Sequence, residues 1–185
     1  AKAALVAEYR GYVALAQRYA QSRPPSLLIT HGLSGCGKTT LTQALLELTG
    51  AIRIRTDVER KRLHGMTSGA RSGSTIDAGL YTSDATERTY RRALSLAEGV
   101  AASGRIAIVD GTFLKRRQRE RFRTRAAELG FPFVILAFTA NDATLRARIV
   151  GRAQRATDAS EADLGVLDRQ LRTREPLLPD ERAQA

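Results

Sequence analysis

The chain has 185 residues, 43% of them hydrophobic, which suits one globular domain with a hydrophobic core. Its formal net charge is +11, and most basic residues are Arg, whose planar guanidinium favours phosphate binding through paired hydrogen bonds. The alternative is that these Arg side chains are only solvated on helix faces. The single cysteine, Cys36, excludes an internal disulfide and a multi-cysteine metal site. The cysteine content thus gives no indication of an oxidising compartment, and we expect a cytoplasmic protein. No apolar run reaches the roughly 18 residues that a membrane helix needs, so we expect no membrane segment.

Residues 1–23 are rich in alanine, and their larger apolar side chains are spaced as on a helix. We expect this helix to end before Pro24 and Pro25, because proline has no N–H to donate and disfavours helical geometry in the residue before it. The chain begins with Ala1 rather than Met. We interpret the helix as a connector to an upstream domain, which would be a covalent partner.

Short apolar runs alternate with helical patterns from residue 24 onwards. The runs predict four buried strands, at residues 27–30, 52–55, 106–109 and 133–138. Helices are predicted at residues 39–48, 83–102, 116–129, 143–155 and 161–173. This alternation predicts an α/β domain over residues 24–178 with a parallel sheet covered on both faces. The Gly- and Ser-rich residues 67–75 predict a loop, and prolines near the end predict a loose tail at residues 179–185.

A phosphate-loop motif follows the first predicted strand. It reads Gly32-Leu33-Ser34-Gly35-Cys36-Gly37-Lys38-Thr39, matches the pattern at every fixed position and leads directly into a helix. Its glycines let the backbone N–H groups of residues 34–39 surround a phosphate, and the helix N-terminus adds positive potential. We expect Lys38 to reach the β- and γ-phosphates, Thr39 to ligate Mg²⁺ and Thr40 to bind the α-phosphate. The motif therefore predicts binding of ATP with Mg²⁺.

A phosphate loop does not by itself identify the reaction. A GTP-binding switch usually carries an Asn-Lys-x-Asp segment that recognises guanine, and this sequence has none. A mechanical ATPase would place Glu directly after the Asp that ends its next core strand, whereas Asp110 is followed by Gly111 and Thr112. We therefore expect Asp110 to serve the Mg²⁺ ion, directly or through water, with no adjacent carboxylate to activate hydrolysis.

Asp57 and Arg60 follow the second predicted strand. In a doubly wound sheet the carboxyl ends of the strands line the ligand crevice, so Asp57 is placed to accept the proton of an acceptor hydroxyl. Arg60 lies three residues later on the same helix face, where it can hold an anionic group of the acceptor. These residues favour a kinase. The alternative is that Asp57 is only the N-cap of the following helix.

Arg148 and Arg152 are four residues apart and share one face of a predicted helix. We expect both to bind the triphosphate, with Arg152 stabilising the transferred charge as an arginine finger does. Residues 146–160 would then form a helical lid. The alternative is a solvated basic helix.

Together these motifs resemble those of the small P-loop kinases that include polynucleotide 5′-kinase, zeta toxin and chloramphenicol phosphotransferase. Residues 51–63, 109–114 and 159–164 are also similar to the C-terminal, AAA-type ATP-binding domain of certain bifunctional proteins. The N-terminal half of those proteins resembles an aminoglycoside phosphotransferase. The resemblance covers residues 24–178 and implies a three-layer P-loop NTPase fold of the adenylate-kinase type, with a helical lid.

The resemblance also implies roles for individual residues. In the kinases, the residue at the position of Asp57 is the catalytic base, and the residue at the position of Arg60 helps to bind the substrate. Relatives usually have Ser where this chain has Cys36, and we expect little effect because the loop binds phosphate through its backbone. The implied activity is ATP-dependent transfer of the γ-phosphoryl group to a hydroxyl.

The sequence leaves the acceptor open. For a small molecule or a nucleotide, we expect a compact groove lined by Asp57, Arg60, Tyr81 and Arg116. The basic run at residues 115–125 would instead suit a polynucleotide 5′-hydroxyl kinase, because such a run can follow a nucleic-acid backbone. Only 5% of residues are aromatic and Trp is absent, so base stacking is poorly served and nucleic acid is not favoured. A third alternative is a regulatory ATPase domain of a bifunctional protein.

Overall fold

The computed structural model describes residues 2–20, 24–70, 82–155, 160 and 162–183. Its helices are α1 (Lys2–Ala20), α2 (Lys38–Thr49), α3 (Thr56–Leu63), α4 (Ser83–Ala102), α5 (Arg116–Glu128), α6 (Asp142–Arg155), α7 (Leu164–Thr173) and α8 (Pro179–Arg182). Its strands are β1 (Ser26–His31), β2 (Ile52–Arg55), β3 (Ile106–Asp110) and β4 (Phe133–Ala137). The loop predicted at residues 67–75 extends outside the described residues.

The four strands form one parallel sheet with the order β2-β3-β1-β4. In the central strand β1, Leu28 pairs with Ile108 of β3 on one side and with Val134 of β4 on the other. Parallel neighbours need crossover connections, and helices occupy the connections between these strands. The predicted α/β fold with a parallel sheet is confirmed.

The main hydrophobic core lies between the sheet and helices α4 and α5. Ile29 of β1 and Val109 of β3 are fully buried in it. Phe113, just beyond β3, lies edge-to-face between Tyr90 of α4 and Phe122 of α5, with ring centroids 4.9 Å apart in both pairs. These contacts anchor the segment after β3, which carries part of the candidate site.

A second, smaller cluster joins the phosphate loop to helices α6 and α7. Its buried members are Leu33, Cys36, Leu114, Leu145, Ile149 and Leu167. The loop that follows β1 is thereby packed against two helices that come more than 100 residues later in the chain.

The end of the chain departs from the predicted loose tail at residues 179–185. Pro179–Arg182 forms α8, in which Glu181 is 2% exposed and accepts hydrogen bonds from Arg119 at 2.6 and 2.9 Å. Pro179 begins this helix, a position where its missing N–H costs nothing because first-turn donors have no partner within the helix. The proline therefore starts a helix instead of ending one.

Residues 2–20 form the predicted N-terminal helix, and α1 leaves Leu5, Tyr9 and Tyr12 more than 60% exposed. Its role as a connector stays a prediction. No helix within the described part of the chain is long and apolar enough to cross a membrane.

Candidate active site

The segments that follow β1, β2 and β3 line one cleft of about 920 Å³. The carboxyl ends of parallel strands meet at one edge of a sheet, which is where open α/β folds bind their ligands. Most of the predicted site residues reach this cleft. Those that line it are Ser34, Gly35, Gly37, Lys38, Thr39, Thr40, Asp57, Arg60, Asp110, Arg148 and Arg152.

Glycines give the loop between β1 and α2 its tight curve. The φ angles of Gly32, Gly35 and Gly37 are +149°, +86° and +92°, values that residues with a Cβ rarely adopt. A Cβ on Gly32 would also lie 2.5 Å from the carbonyl oxygen of Phe138 and 2.8 Å from Sγ of Cys36. Gly32 and Cys36 are buried, so they shape the loop behind the residues that line the cleft.

The ammonium group of Lys38 lies against the loop backbone. Nζ donates hydrogen bonds to the carbonyl oxygens of Gly32 at 3.0 Å and Leu33 at 2.8 Å, and it lies 3.6 Å from Sγ of Cys36. The side chain is 9% exposed. An ammonium group has three donors, so a phosphate oxygen that binds it must replace one of these partners. The positive charge is thus in place before a ligand arrives.

Thr39 and Asp110, the predicted Mg²⁺ residues, are in direct contact. Oγ1 of Thr39 donates to Oδ2 of Asp110 at 2.7 Å, and Nε of Arg55 lies 3.8 Å from the same oxygen. A hydroxyl and a carboxylate are the hard oxygen ligands that Mg²⁺ takes, usually together with waters and substrate phosphates. Among the described residues, no group of three His, Cys, Asp or Glu side chains could hold a metal. The pair therefore fits Mg²⁺ held jointly with a nucleotide.

Gly111 brings the ends of β2 and β3 close together. A Cβ at Gly111 would lie 2.8 Å from Cγ2 of Thr56, and Oγ1 of Thr56 donates to the carbonyl oxygen of Asp110 at 3.2 Å. Thr30 of β1 joins the same group by donating to the Gly111 carbonyl at 2.6 Å. This packing places Asp57, which follows Thr56, on the same cleft as Asp110.

Asp57 is the second residue of α3 and is half-buried at the cleft. Arg55 occupies the N-cap position and makes no side-chain capping bond. This position excludes the alternative in which Asp57 is the N-cap. No described residue donates a hydrogen bond to the Asp57 carboxylate, so its oxygens remain available to a proton donor in the cleft.

The predictions for the three residues expected to bind the acceptor fare differently. Arg60 is 7% exposed, lines the cleft and donates to Oγ1 of Thr86 in α4 at 3.2 Å. Tyr81 lies outside the described residues. Arg116 departs from its prediction, because its side chain is exposed outside the cleft lining and its backbone N–H donates to Glu175. Arg116 is the first residue of α5, and its neighbour Lys115 lines the cleft instead.

Sequence reasoning missed Tyr90 of α4, which lines the cleft although its side chain is 4% exposed. Its hydroxyl lies 3.4 Å from Oγ1 of Thr112 and accepts the N–H of Phe113 at 3.3 Å. Burial raises the pKa of the Tyr90 phenol above its ordinary value. Helical periodicity marks Tyr90 as buried, but it does not distinguish a core residue from one at the wall of a cleft.

Arg148 and Arg152 both face the cleft from α6. Nη1 of Arg148 donates to the carbonyl oxygen of Gly35 at 3.2 Å, and Nη2 of Arg152 donates to that of Ala162 at 2.7 Å. These contacts argue against a helix face that is only solvated. Part of the predicted lid at residues 146–160 lies outside the described residues, so closure over the triphosphate stays a prediction.

Gln170 of α7 is a second residue that sequence reasoning missed. Its Oε1 accepts the backbone N–H of Ser34 at 2.9 Å, and its Nε2 donates to Oγ of Ser34 at 3.0 Å. The prediction that the N–H groups of residues 34–39 surround a phosphate needs a correction at two positions. The N–H of Ser34 is already bonded to Gln170, and the N–H of Cys36 donates to the carbonyl oxygen of Leu33 at 3.3 Å. The hydroxyl is the polar group that Ser34 can offer to a ligand.

A family model described as an AAA domain matches residues 27–177, which is most of the chain. The chain belongs to this AAA domain family. Uncharacterized proteins of Mycobacterium tuberculosis (strain ATCC 25618 / H37Rv) and Mycobacterium bovis (strain ATCC BAA-935 / AF2122/97) are each 32% identical to it over 151 residues, or 80% of this chain. The AAA domain spans about 30% of the length of these curated relatives.

Three solved kinase structures share the fold of the AAA domain. A sugar kinase from Janibacter sp. HTCC2649 has a TM-score of 0.61 and 23% identity, with 85% of this chain and 82% of its own covered. A gluconokinase from Sinorhizobium meliloti 1021 has a TM-score of 0.57 and 21% identity, with 83% and 77% covered. The APS kinase of Mycobacterium tuberculosis, solved with AMPPNP and APS, has a TM-score of 0.55 and 20% identity, with 71% and 72% covered.

At these identities the likeness shows the fold alone, and the fold is that of P-loop kinases. The more specific resemblance to zeta toxin, chloramphenicol phosphotransferase, polynucleotide 5′-kinase and the bifunctional aminoglycoside phosphotransferase-like proteins stays a prediction.

Proposed function

We propose that the AAA domain is an ATP-dependent kinase that transfers the γ-phosphoryl group to a hydroxyl of a small-molecule or nucleotide acceptor. The observation that carries this proposal is the placement of Asp57 on the same cleft as Lys38, Thr39 and Asp110. A carboxylate at the phosphate-binding edge of the sheet, without a hydrogen-bond donor among the described residues, suits a general base for an alcohol.

The transfer step assigns a role to each of these groups. The acceptor oxygen attacks the γ-phosphorus as its proton passes to the Asp57 carboxylate, and the bond from the γ-phosphorus to the bridging oxygen of ADP breaks. Lys38 and the α6 residues Arg148 and Arg152 supply positive charge around the phosphates. Thr39 and Asp110 would hold Mg²⁺, which when bound offsets the negative charge of the phosphates.

The acceptor side of the cleft favours a small, polar molecule. Its walls include Arg60 from α3, Thr86 and Tyr90 from α4, Lys115 just before α5 and Gln118 from α5. A sugar kinase and a gluconokinase are among the proteins that share the fold, which is in keeping with a small acceptor that carries hydroxyl groups. Arg60 would attract an acceptor that is also anionic, whereas Lys115 is already paired with Glu175 at 3.3 Å.

The polynucleotide alternative is less well supported, because the basic run at residues 115–125 is largely paired with acidic side chains. Arg119 bonds Glu181, Arg121 bonds Glu87, Arg123 bonds Glu120 and Asp180, and Arg125 bonds Glu98 and Glu128. A cation that is already neutralised within the protein releases few counterions from a nucleic-acid backbone.

The test compares the parent protein with Asp57→Asn and Lys38→Ala in a transfer assay that screens sugars, sugar acids and nucleosides as acceptors. Asp57→Asn should slow transfer by about 100-fold or more because the base is lost, and calorimetry should show ATP affinity within about threefold of the parent. Lys38→Ala should lose both phosphoryl transfer and ATP binding. The matched control, Asp84→Asn, changes an exposed carboxylate that pairs with Arg88 on α4 and should alter neither quantity.

Two results would redirect the assignment. Full transfer by Asp57→Asn would show that another group takes the proton. If no acceptor raises turnover above slow hydrolysis while the parent binds ATP, the regulatory ATPase alternative is the better description.

A further inference from the structure

Gln170 stands on the wall of the cleft, 136 residues after the serine that it contacts. Its amide orientation is fixed by that contact. The backbone N–H of Ser34 is only a donor, so the amide oxygen of Gln170 must face it, at 2.9 Å. The amide nitrogen must then face Oγ of Ser34, at 3.0 Å, where it can only donate.

This arrangement decides what the Ser34 hydroxyl can do. A hydroxyl has one donor hydrogen and two acceptor lone pairs, and Gln170 occupies a lone pair. The hydrogen is therefore left to donate elsewhere, and no described residue accepts it. Ser34 is 6% exposed and lines the cleft beside the phosphate loop. A phosphate oxygen in that cleft is the acceptor that its hydrogen can reach.

Gln170 is itself held in place by the packing of α7. Leu167, one helical turn earlier, is fully buried against Leu33 of the loop and Leu145 of α6. Asp168 accepts a hydrogen bond from Arg146 of α6 at 2.6 Å. A side chain supported in this way can impose an orientation on its partner at little entropic cost.

The geometry points to Gln170 as a positioning residue that directs the hydroxyl hydrogen of Ser34 into the phosphate-binding cleft, so that nucleotide affinity depends on the Ser34–Gln170 pair. The inference rests on the nucleotide binding in the proposed function, but it does not depend on the acceptor or on Asp57. Nucleotide binding at the phosphate loop would then depend on α7, the helix that follows the predicted lid.

A double-mutant cycle on binding of ATP with Mg²⁺ tests the inference by calorimetry, without an acceptor. Ser34→Ala removes the hydroxyl, and Gln170→Leu removes both amide bonds at similar volume. Each should raise the Kd by about tenfold, the cost of one hydrogen bond to a charged group. The double variant should also be weaker by only about tenfold, because Gln170 acts through a hydroxyl that Ser34→Ala has already removed.

The matched control is Gln43→Leu on α2, whose amide also makes two side-chain bonds, with Glu47 and Arg53, away from the cleft. It should leave the Kd of the parent protein unchanged. Melting temperatures of all variants without nucleotide show whether they remain folded, and Gln170→Met supplies a second apolar replacement if Gln170→Leu does not fold.

A purely structural role gives a different result from the one expected. If Gln170 only holds the loop through the N–H of Ser34, its replacement will cost as much affinity in the Ser34→Ala background as in the parent, and the double variant will lose about 100-fold. That result, or an unchanged Kd in Gln170→Leu, overturns the inference.

The same measurements distinguish failure of the kinase proposal from failure of the inference about Gln170. If the parent binds ATP and the cycle shows coupling, but no acceptor is phosphorylated, the kinase proposal fails and the role of Gln170 stands. If the parent binds no ATP with Mg²⁺, both are overturned.

Discussion

Gly111 lies where the ends of β2 and β3 meet, and its lack of a side chain permits that approach. An added Cβ would lie 2.8 Å from Cγ2 and 3.0 Å from Oγ1 of Thr56. Gly111→Ala should therefore lower the free energy of unfolding by about 1–3 kcal/mol, the usual cost of overpacking. Urea denaturation measures the change.

The control for this substitution is Gly99→Ala in α4, where nothing lies within 4 Å of an added Cβ. Alanine favours the helix at such a position, so the free energy of unfolding should rise by about 0.5–1 kcal/mol. Equal losses in the two variants would show that contact with Thr56 is not the cause.

The hydroxyl of Thr39 yields a prediction about metal removal. Thr39→Val keeps the shape of the side chain but removes the ligand oxygen beside Asp110. In the parent, Mg²⁺ should strengthen ATP binding, and in Thr39→Val this gain should shrink by about tenfold. Calorimetry with Mg²⁺ and with EDTA measures the gain, and the exposed Thr124→Val in α5 should leave it unchanged. A full gain in Thr39→Val would remove Thr39 from the metal site.

At the scale of single residues, the sequence predicts a position well when the partners are close in the chain. The placement of Lys38 and Thr39 follows from one continuous loop motif, and both line the cleft. Gln170 could not be found in this way, because its partner Ser34 is 136 residues away and no short motif joins them. The sequence predicts Arg116 at the cleft, but the start of α5 places Lys115 there instead.

Among the elements, α8 is held to α5 by a buried ion pair. Arg119 is 1% exposed and bonds both carboxylate oxygens of Glu181 as well as the carbonyl oxygen of Phe113. Glu181→Gln leaves the guanidinium buried without its counter-charge, which should cost about 3–5 kcal/mol in chemical denaturation. The partly exposed pair of Arg125 and Glu98 is the comparison, and Glu98→Gln should cost at most about 1 kcal/mol. Similar losses for both would contradict the burial argument.

The same ion pair predicts how stability depends on pH. Burial by itself would raise the pKa of Glu181, but hydrogen bonds from Arg119 and the Leu178 N–H outweigh it and lower that pKa below its usual value. A lowered pKa in the folded state gives stability that is complete above the ordinary Glu pKa, about 4.3, and is lost as the pH falls further.

Unfolding curves between about pH 7 and pH 3 should therefore show a loss of stability in acid that is smaller in Glu181→Gln than in the parent. A parallel decline in the two proteins would mean that other carboxylates account for the acid sensitivity.

The elements themselves were largely predictable, because apolar runs and helical spacing are local properties of the chain. The four strands and the helices α2, α4, α5 and α6 lie where periodicity places them, within a few residues. Helix α8 is not predicted from the sequence, because proline is compatible with two structures. It interrupts a helix when it lies in the interior, but it also suits the first position of a new helix. The buried partner of Glu181 decides between them, and that partner is not visible from local sequence.

Across the whole molecule, the net charge favours binding of nucleic acid, whereas the pairing of charges opposes it. The formal charge of +11 favours polyanions in general, whereas ion pairs with acidic residues of α4, α5 and α8 neutralise much of the basic run on α5. We expect only weak binding of a single-stranded oligonucleotide, with a Kd of about 10 μM or above at 150 mM salt. Fluorescence polarisation at several salt concentrations measures it. A submicromolar Kd with a steep salt dependence would restore the polynucleotide alternative.

The pair formed by Arg119 and Glu181 also bears on the order in which the chain can fold during its synthesis. The two residues are 62 positions apart, so the ribosome exposes the guanidinium well before the carboxylate. Until then, burying Arg119 would cost more than leaving it hydrated. We therefore expect the interior beneath α5 to close only after residue 181 has emerged.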